Sequence, residues 1–155
     1  MKNVIAMTVL AACALTIGAD KARATEDECR AAQTLVDTAT NHYKTVGQEK
    51  AYADFMDKGN ADWVNNGHYV TVSTMDGIYL VYARNPKLTN NPDLPYLKDT
   101  DGILFVQEMA KAGKSSPNGA WVKYTWLHPI TNKLSPTHAW VKPSGNLLFI
   151  GSCNP

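Results

Sequence analysis

No excess of charge marks this chain: 15 Lys and Arg stand against 14 Asp and Glu in 155 residues, a formal charge of +1. A nucleic-acid binder needs a basic stripe along one face, and the sequence has none. Catalytic signatures are missing too. His42, His68, His128 and His138 show no HxxxH or HExxH spacing, and there is no Gly-x-Ser-x-Gly elbow and no Walker loop. The chain therefore reads as a non-enzyme without a cofactor or metal. Cysteine is scarce at three, and no CxxC or Cys/His cluster surrounds Cys29 or Cys153. Low-complexity disorder is excluded by composition, since 45% of residues are hydrophobic, with four Trp, seven Tyr and three Phe. That is enough for one packed domain and too little chain for two.

The one long uncharged apolar run lies at the start. Met1-Lys2 supplies a short positive segment, Val4 to Ala19 is apolar, and Ala22-Arg23-Ala24 puts small residues at both recognition positions of a signal peptidase. Residues 1–24 read as a secretory signal cleaved before Thr25. The run falls short of the roughly 20 residues that span a bilayer, which argues against an anchor. Leu10-Ala11-Ala12-Cys13 has the form of a lipoprotein box. It is the lesser alternative, because a cut there leaves a signal below the usual span of about 15 to 30 residues. Cleavage after Ala24 removes Lys2, Lys21, Arg23 and Asp20 and leaves residues 25–155 as a periplasmic or secreted domain with no transmembrane segment. With Cys13 cleaved off or acylated, Cys29 and Cys153 remain as an even pair in an oxidising compartment. That favours a disulfide over a metal pair or a reactive thiol. Closing so long a loop stabilises by about 4 to 5 kcal/mol in the chain-entropy model.

Between Glu26 and about Asp57 there is no Pro and one Gly. Leu35, Ala39, Tyr43, Val46, Tyr52 and Phe55 recur at three- and four-residue spacing, which predicts a long amphipathic helix with a kink or break at Gly47. Thr25 followed by Glu26, Asp27 and Glu28 supplies a cap and acids for its first turn. From Tyr69 the pattern changes to strands. Tyr69 to Ser73 alternates, Asp76-Gly77 is a hairpin turn, and Ile78 to Tyr82 returns. A Pro- and Asn-rich loop spans Asn85 to Pro95, a short helix covers Ile103 to Ala112, and Gly113 to Gly119 is a second loop. Strands at Ala120 to Leu127, Thr137 to Lys142 and Leu147 to Ser152 close the chain. The order describes one antiparallel sheet with helices against it, an α+β domain. Asp99-Thr100-Asp101-Gly102 with Glu108 is half a calcium loop at best, because its first ligand position is Leu97 and the strand after the Gly is missing. Its expected work is to turn the chain and cap the short helix.

From about Lys44 to Ser152 an ordered set of motifs resembles the single-Cache domains, PAS-like extracytoplasmic sensor modules of bacteria. The set comprises Gly47-x-Glu49-x-Ala51-x-Ala53-x-Phe55, Tyr69-Val70-x-Val72 with Asp76-Gly77, Asn85-Pro86-x-Leu88, and Asp99-x-Asp101-Gly102. Gly119-x-Trp121-Val122-x-Tyr124-x-Trp126-x-x-Pro129 and Ile150-Gly151-Ser152 complete it. The resemblance implies a sheet of about five strands with a long N-terminal helix and a short helix packed on it. It also implies ligand sensing instead of catalysis, with a small organic anion, often a short carboxylate, held on one face of the sheet by aromatic and cationic groups. Most relatives are fused through a membrane helix to a chemoreceptor or kinase.

Candidate ligand contacts follow. Tyr124 and Trp126 share a strand face with Val122, and each pairs a flat apolar wall with a polar handle, although the same face serves equally as plain core. Arg84 ends the second strand, where a guanidinium can grip a carboxylate or simply be solvated. Tyr82 stands where the family commonly shows a His. The family's Pro-Lys-x-Ser-Tyr-Val strand reads here Pro136-Thr137-His138-Ala139-Trp140-Val141, so Thr137 replaces the cation. His138 alternates with Thr137 and faces the other side with Trp140 and Lys142. Two readings stand: a stand-alone exported module that binds a short carboxylate-like metabolite for sensing, or a protein-interaction module with a degenerate pocket. The second docks to a membrane-bound sensor or transporter through the exposed face of the long helix. That helix carries His42, Lys44, Gln48 and Lys50 on its polar side, and the chain is expected to be a monomer.

Overall fold

The computed structural model describes residues 14–155, with side chains from Ala22 onward. Of the leader expected over residues 1–24, residues 1–13, with Cys13 and its lipoprotein box, lie outside the described residues. Helix α1 runs over Ala14–Val46 and passes straight through the Thr25 to Glu28 segment expected to cap its start. Alanines on both sides of Thr25 favour helix and no proline interrupts them, so nothing stops the helix there. It ends at Gly47, whose φ of 82° suits glycine, and α2 restarts over Gln48–Met56.

The buried stripe of α1 is Ala32, Val36, Ala39 and Thr40, rotated from the expected Leu35, Ala39, Tyr43 and Val46, and Val46 is exposed. The cause is a close crossing. Helix α1 passes over strand β7 (Leu147–Cys153) at Gly151, where a Cβ would lie 2.8 Å from both the Ala32 carbonyl oxygen and Val36 Cγ2. His42, expected on the polar side of the helix, instead sets its ring 4.8 Å from that of Trp63 and 5.8 Å from that of Phe55. Its Nε2 lies 2.8 Å from Asp54 Oδ2, and Lys50 pairs with the other oxygen. Lys50 first and His42 second hold the Asp54 carboxyl below its ordinary pKa, and the cluster fastens α2 to α1.

Strands β3 (Thr71–Thr74), β4 (Tyr79–Tyr82), β5 (Ala120–Leu127), β6 (Leu134–Ser144) and β7 form one antiparallel sheet in the order β4-β3-β7-β6-β5. A separate two-residue hairpin, β1 (Val64–Asn65) with β2 (His68–Tyr69), was not anticipated. Strand β6 starts at Leu134, earlier than the expected Thr137, and takes in Pro136 and Pro143. Both prolines sit past the end of a neighbour: β7 pairing stops at Cys153 opposite His138, and β5 pairing stops at Ala120 opposite Val141. Their missing N–H groups therefore interrupt no ladder.

Helix α3 spans Phe105–Ser115, a few residues C-terminal to the expected Ile103 to Ala112. Gly113, expected to open a loop, lies inside it because the helix presses on the sheet there; a Cβ would meet Leu148 Cδ2 at 2.3 Å. Asp99 turns the chain before α3, as expected, but does not cap it. The N-cap is Leu104, with no side-chain bond. Instead Asp99 Oδ1 accepts from the amides of Asp101 (2.9 Å) and Ile103 (2.8 Å), and Oδ2 accepts from the Thr125 amide of β5 at 3.0 Å. These bonds, that from Thr125 foremost, hold its carboxyl below the ordinary carboxylate range.

The core has two layers. Helices α1 and α2 bury Val36, Ala39 and Phe55 against Val70, Val72 and Phe149, while α3 and the loop before it bury Leu94, Phe105 and Met109 against Val141, Leu148 and Ile150. Strand β7 serves both layers by alternation. The expected disulfide joins Cys29 in α1 to Cys153 at the end of β7, across 124 positions of sequence.

Candidate functional site

One face of the sheet, under α3, carries a narrow, partly open void of about 20 Å³. Strands supply most of its wall: Tyr69 and Thr71 from β2 and β3, Tyr79 and Tyr82 from β4, Tyr124 and Trp126 from β5, and Ile150 and Ser152 from β7. Phe105 and Met109 of α3 roof it, and Leu88 and Leu94 close it from the loop after β4.

Each placement has a local cause. Tyr69 and Thr71 alternate with Val70 and Val72, so the first pair faces α3 and the second faces α1. Strict alternation would set Tyr79 and Tyr82 on opposite faces. A bulge between Val72 and Ser73 intervenes: Val72 pairs with Val81 and Ser73 with Tyr79, which leaves Leu80 as the extra residue. Parity flips at Leu80, and both tyrosines reach the void. The rings interlock. Phe105 stacks on Tyr124 with centroids 4.7 Å apart and planes within 5°, and Trp126 meets Phe105 at 4.7 Å. Tyr82 lies 5.5 Å from Tyr69 and 5.4 Å from Tyr79.

The hydroxyls are less well served than the rings. Tyr69 Oη and Tyr82 Oη are 3.5 Å apart, long for an O–H···O bond, and among the described residues Tyr79 Oη has only Met109 Sδ, at 4.0 Å. Burial pushes the phenols of Tyr69, Tyr79 and Tyr124 well above their ordinary pKa, so each stays a neutral donor at physiological pH.

Of the residues singled out from sequence, Tyr82, Tyr124 and Trp126 meet at this void. Thr137 is buried beside it, paired across the strands with Tyr124, and lines an adjoining space of about 10 Å³. Its Oγ1 accepts from Asn154 Nδ2 at 2.9 Å. Arg84 lines neither space: its Nη2 donates to the His128 carbonyl at 3.2 Å and to Asn132 Oδ1 at 2.8 Å, in the β5–β6 connection. Among the described residues no charged side chain borders either space. Sequence reasoning did not select Tyr69, Tyr79, Phe105 or Ser152. Alternation could have found Tyr69, but the bulge hid Tyr79. Surface grooves are larger but open, as with the one of about 690 Å³ between α3 and β5, where Glu108 and the cations Lys111 and Lys123 mix charge of both signs.

His138 faces away from the void and lies with Cys29 and Cys153, their ligand atoms all within 4.8 Å. The sulfurs are bonded to each other, which leaves one imidazole and no ligand set for a metal. Among the described residues no helix is long and apolar enough to cross a membrane.

Known proteins agree with this architecture. A Cache chemosensory domain described for carboxylic acid recognition superposes with a TM-score of 0.65 at 20% identity, over 87% of this chain and 96% of that one. The periplasmic sensor domain of a chemotaxis protein superposes at 0.61 and 19% identity, over 92% and 99%. A methyl-accepting chemotaxis protein from Vibrio parahaemolyticus RIMD 2210633 does so at 0.65 and 16%, over 90% of each. No curated protein matches the chain. The sequence pattern of the family described as Single Cache domain 2 matches residues 17–147, which runs from within α1 through β6 and stops at the first residue of β7, and on that match the chain belongs to the single Cache domain family.

Proposed function

We propose that this chain is an extracytoplasmic sensor module that binds a small organic molecule in the void between the sheet and α3. Cache domains are sensory modules, and the Cys29–Cys153 bond suits an oxidising compartment. One observation carries the reading: six aromatic side chains, among them the poorly partnered phenols of Tyr69, Tyr79 and Tyr82, converge on one narrow space. A well-packed core gains nothing from buried hydroxyls left without strong partners, whereas a ligand site uses them as handles. Catalysis has no comparable support. The neighbour described for carboxylic acid recognition puts short carboxylates on the test panel, beside neutral analogues of the same shape. The void holds about one water, so its walls must yield when a larger ligand enters.

The test is a thermal-shift screen of the purified protein against short carboxylates, their neutral analogues, amino acids and purines. A ligand that binds the native state alone raises the melting temperature by mass action. A saturable shift confined to one chemical class supports the reading, and none across the panel, from a protein that melts cooperatively, removes it.

The smallness of the void favours a second reading, a protein-interaction module whose pocket is filled by its own side chains. The apolar surface for such a role lies at the tip of the β5–β6 hairpin, where Leu127, Ile130 and Leu134 are 44%, 64% and 57% exposed. On this second reading a membrane-bound sensor or transporter docks through that surface or through the exposed face of the long helix.

A further inference from the structure

Resting on the reading of the void as a ligand site, we infer that it selects small uncharged molecules carrying a carbonyl or hydroxyl group, and rejects carboxylates of the same shape. An anion that enters must shed its water, and a buried carboxylate without a cation or a full set of donors is strongly disfavoured. No cation among the described residues lines the void, although the Arg84 charge acts on the Tyr69 hydroxyl from outside the wall. Among the described residues the walls of the void and of the space beside Thr137 hold no Lys, Arg or His. Position 137 is a threonine whose hydroxyl already accepts from Asn154. The Arg84 guanidinium donates to the His128 carbonyl and Asn132, so turning it inward would strip those acceptors.

A neutral acceptor fits better. Tyr69 and Tyr82 present hydroxyls 3.5 Å apart that bond each other weakly, and Tyr79 has only a thioether. An oxygen placed among them gains short O–H···O bonds that the empty site lacks. The six rings accept the alkyl remainder of a ligand of a few heavy atoms. A cationic ligand is less suited, because no carboxylate borders the void.

Calorimetric titration of the full chain at pH 7 with isosteric pairs tests the inference: acetamide against acetate, propionamide against propionate, with ethylammonium as the cationic probe. The amide is expected to bind at least about tenfold more tightly than its carboxylate. Tyr82→Phe, which removes only a hydroxyl, should weaken amide binding by about three- to tenfold. Thr137→Lys, which sets a cation beside the void, should invert the order within each pair. A carboxylate or the ammonium binding the unaltered protein as tightly as the amide overturns the charge selection while leaving the ligand site in place. Binding of none of the probes, together with no shift in the thermal screen, removes both.

Discussion

His138 shows how a single residue in this fold acquires a measurable property. It sits in β6 beside the Cys29–Cys153 bond, directly across from Lys123 in the β5–β6 register. Desolvation first, and the Lys123 charge second, lower its pKa below the ordinary 6.5. The unfolded chain therefore takes up a proton near pH 6.5 that the native state resists. Stability attributable to His138 is complete above that pH and is lost as the pH falls toward the depressed native value. Denaturant unfolding between pH 7.5 and 5 should show the wild type losing stability faster than His138→Gln. Parallel curves would take the effect away from this residue. Asp54 and Asp99, with lowered carboxyl pKa values, act in the same direction only at more acidic pH. At this scale the sequence was a fair guide to side-chain direction, since Thr137 and His138 face opposite ways as alternation requires. It was a poor guide to partners: nothing local tells Arg84 to bond the turn after β5, or Asp99 to reach the Thr125 amide 26 residues on.

At the scale of elements, α3 offers the sharpest test. Gly113 lies in its last turns, where alanine would ordinarily favour the helix by about 1 kcal/mol. A Cβ at that place would meet Leu148 Cδ2 at 2.3 Å, in a layer where Leu148 is fully buried. Overpacking of this kind costs about 1–3 kcal/mol, so Gly113→Ala should lower the melting temperature despite its propensity gain. Adding Leu148→Ala should relieve the clash, giving a double variant less destabilised than the sum of the singles. An unchanged or raised melting temperature in Gly113→Ala would show that α3 does not press on the sheet here. Element types were legible because their periods differ, and β5 matched its expected bounds of Ala120 to Leu127. What failed was local punctuation overruled by packing. Gly113 looked like a breaker and is a contact point, and Tyr79 and Tyr82 share a face only through the bulge at Leu80.

At the scale of the whole molecule, the Cys29–Cys153 bond ties the first helix to the last strand. Losing a native disulfide from a small secreted domain costs about 2–5 kcal/mol. Reduction, or a Cys29→Ser/Cys153→Ser double variant, should lower the denaturant midpoint accordingly, and the denatured, unreduced protein should titrate no thiol at either position. Two free thiols there would remove the staple. The two layers of core, one on each side of β7, otherwise hold α1 and α3 to opposite faces of the sheet. The sequence by itself determined the α+β class, the strand count of the main sheet, the break at Gly47 and the pairing of the two cysteines. Each follows from local periodicity, from backbone sterics or from simple parity. Only the tertiary structure decided which aromatic rings meet, that Arg84 bonds the β5–β6 connection, and that the space under α3 is small and lined by no charged side chain among the described residues. Those depend on the bulge in β4 and on close approaches at Gly113 and Gly151, where surfaces distant in the chain press together and no local pattern records the distance between them.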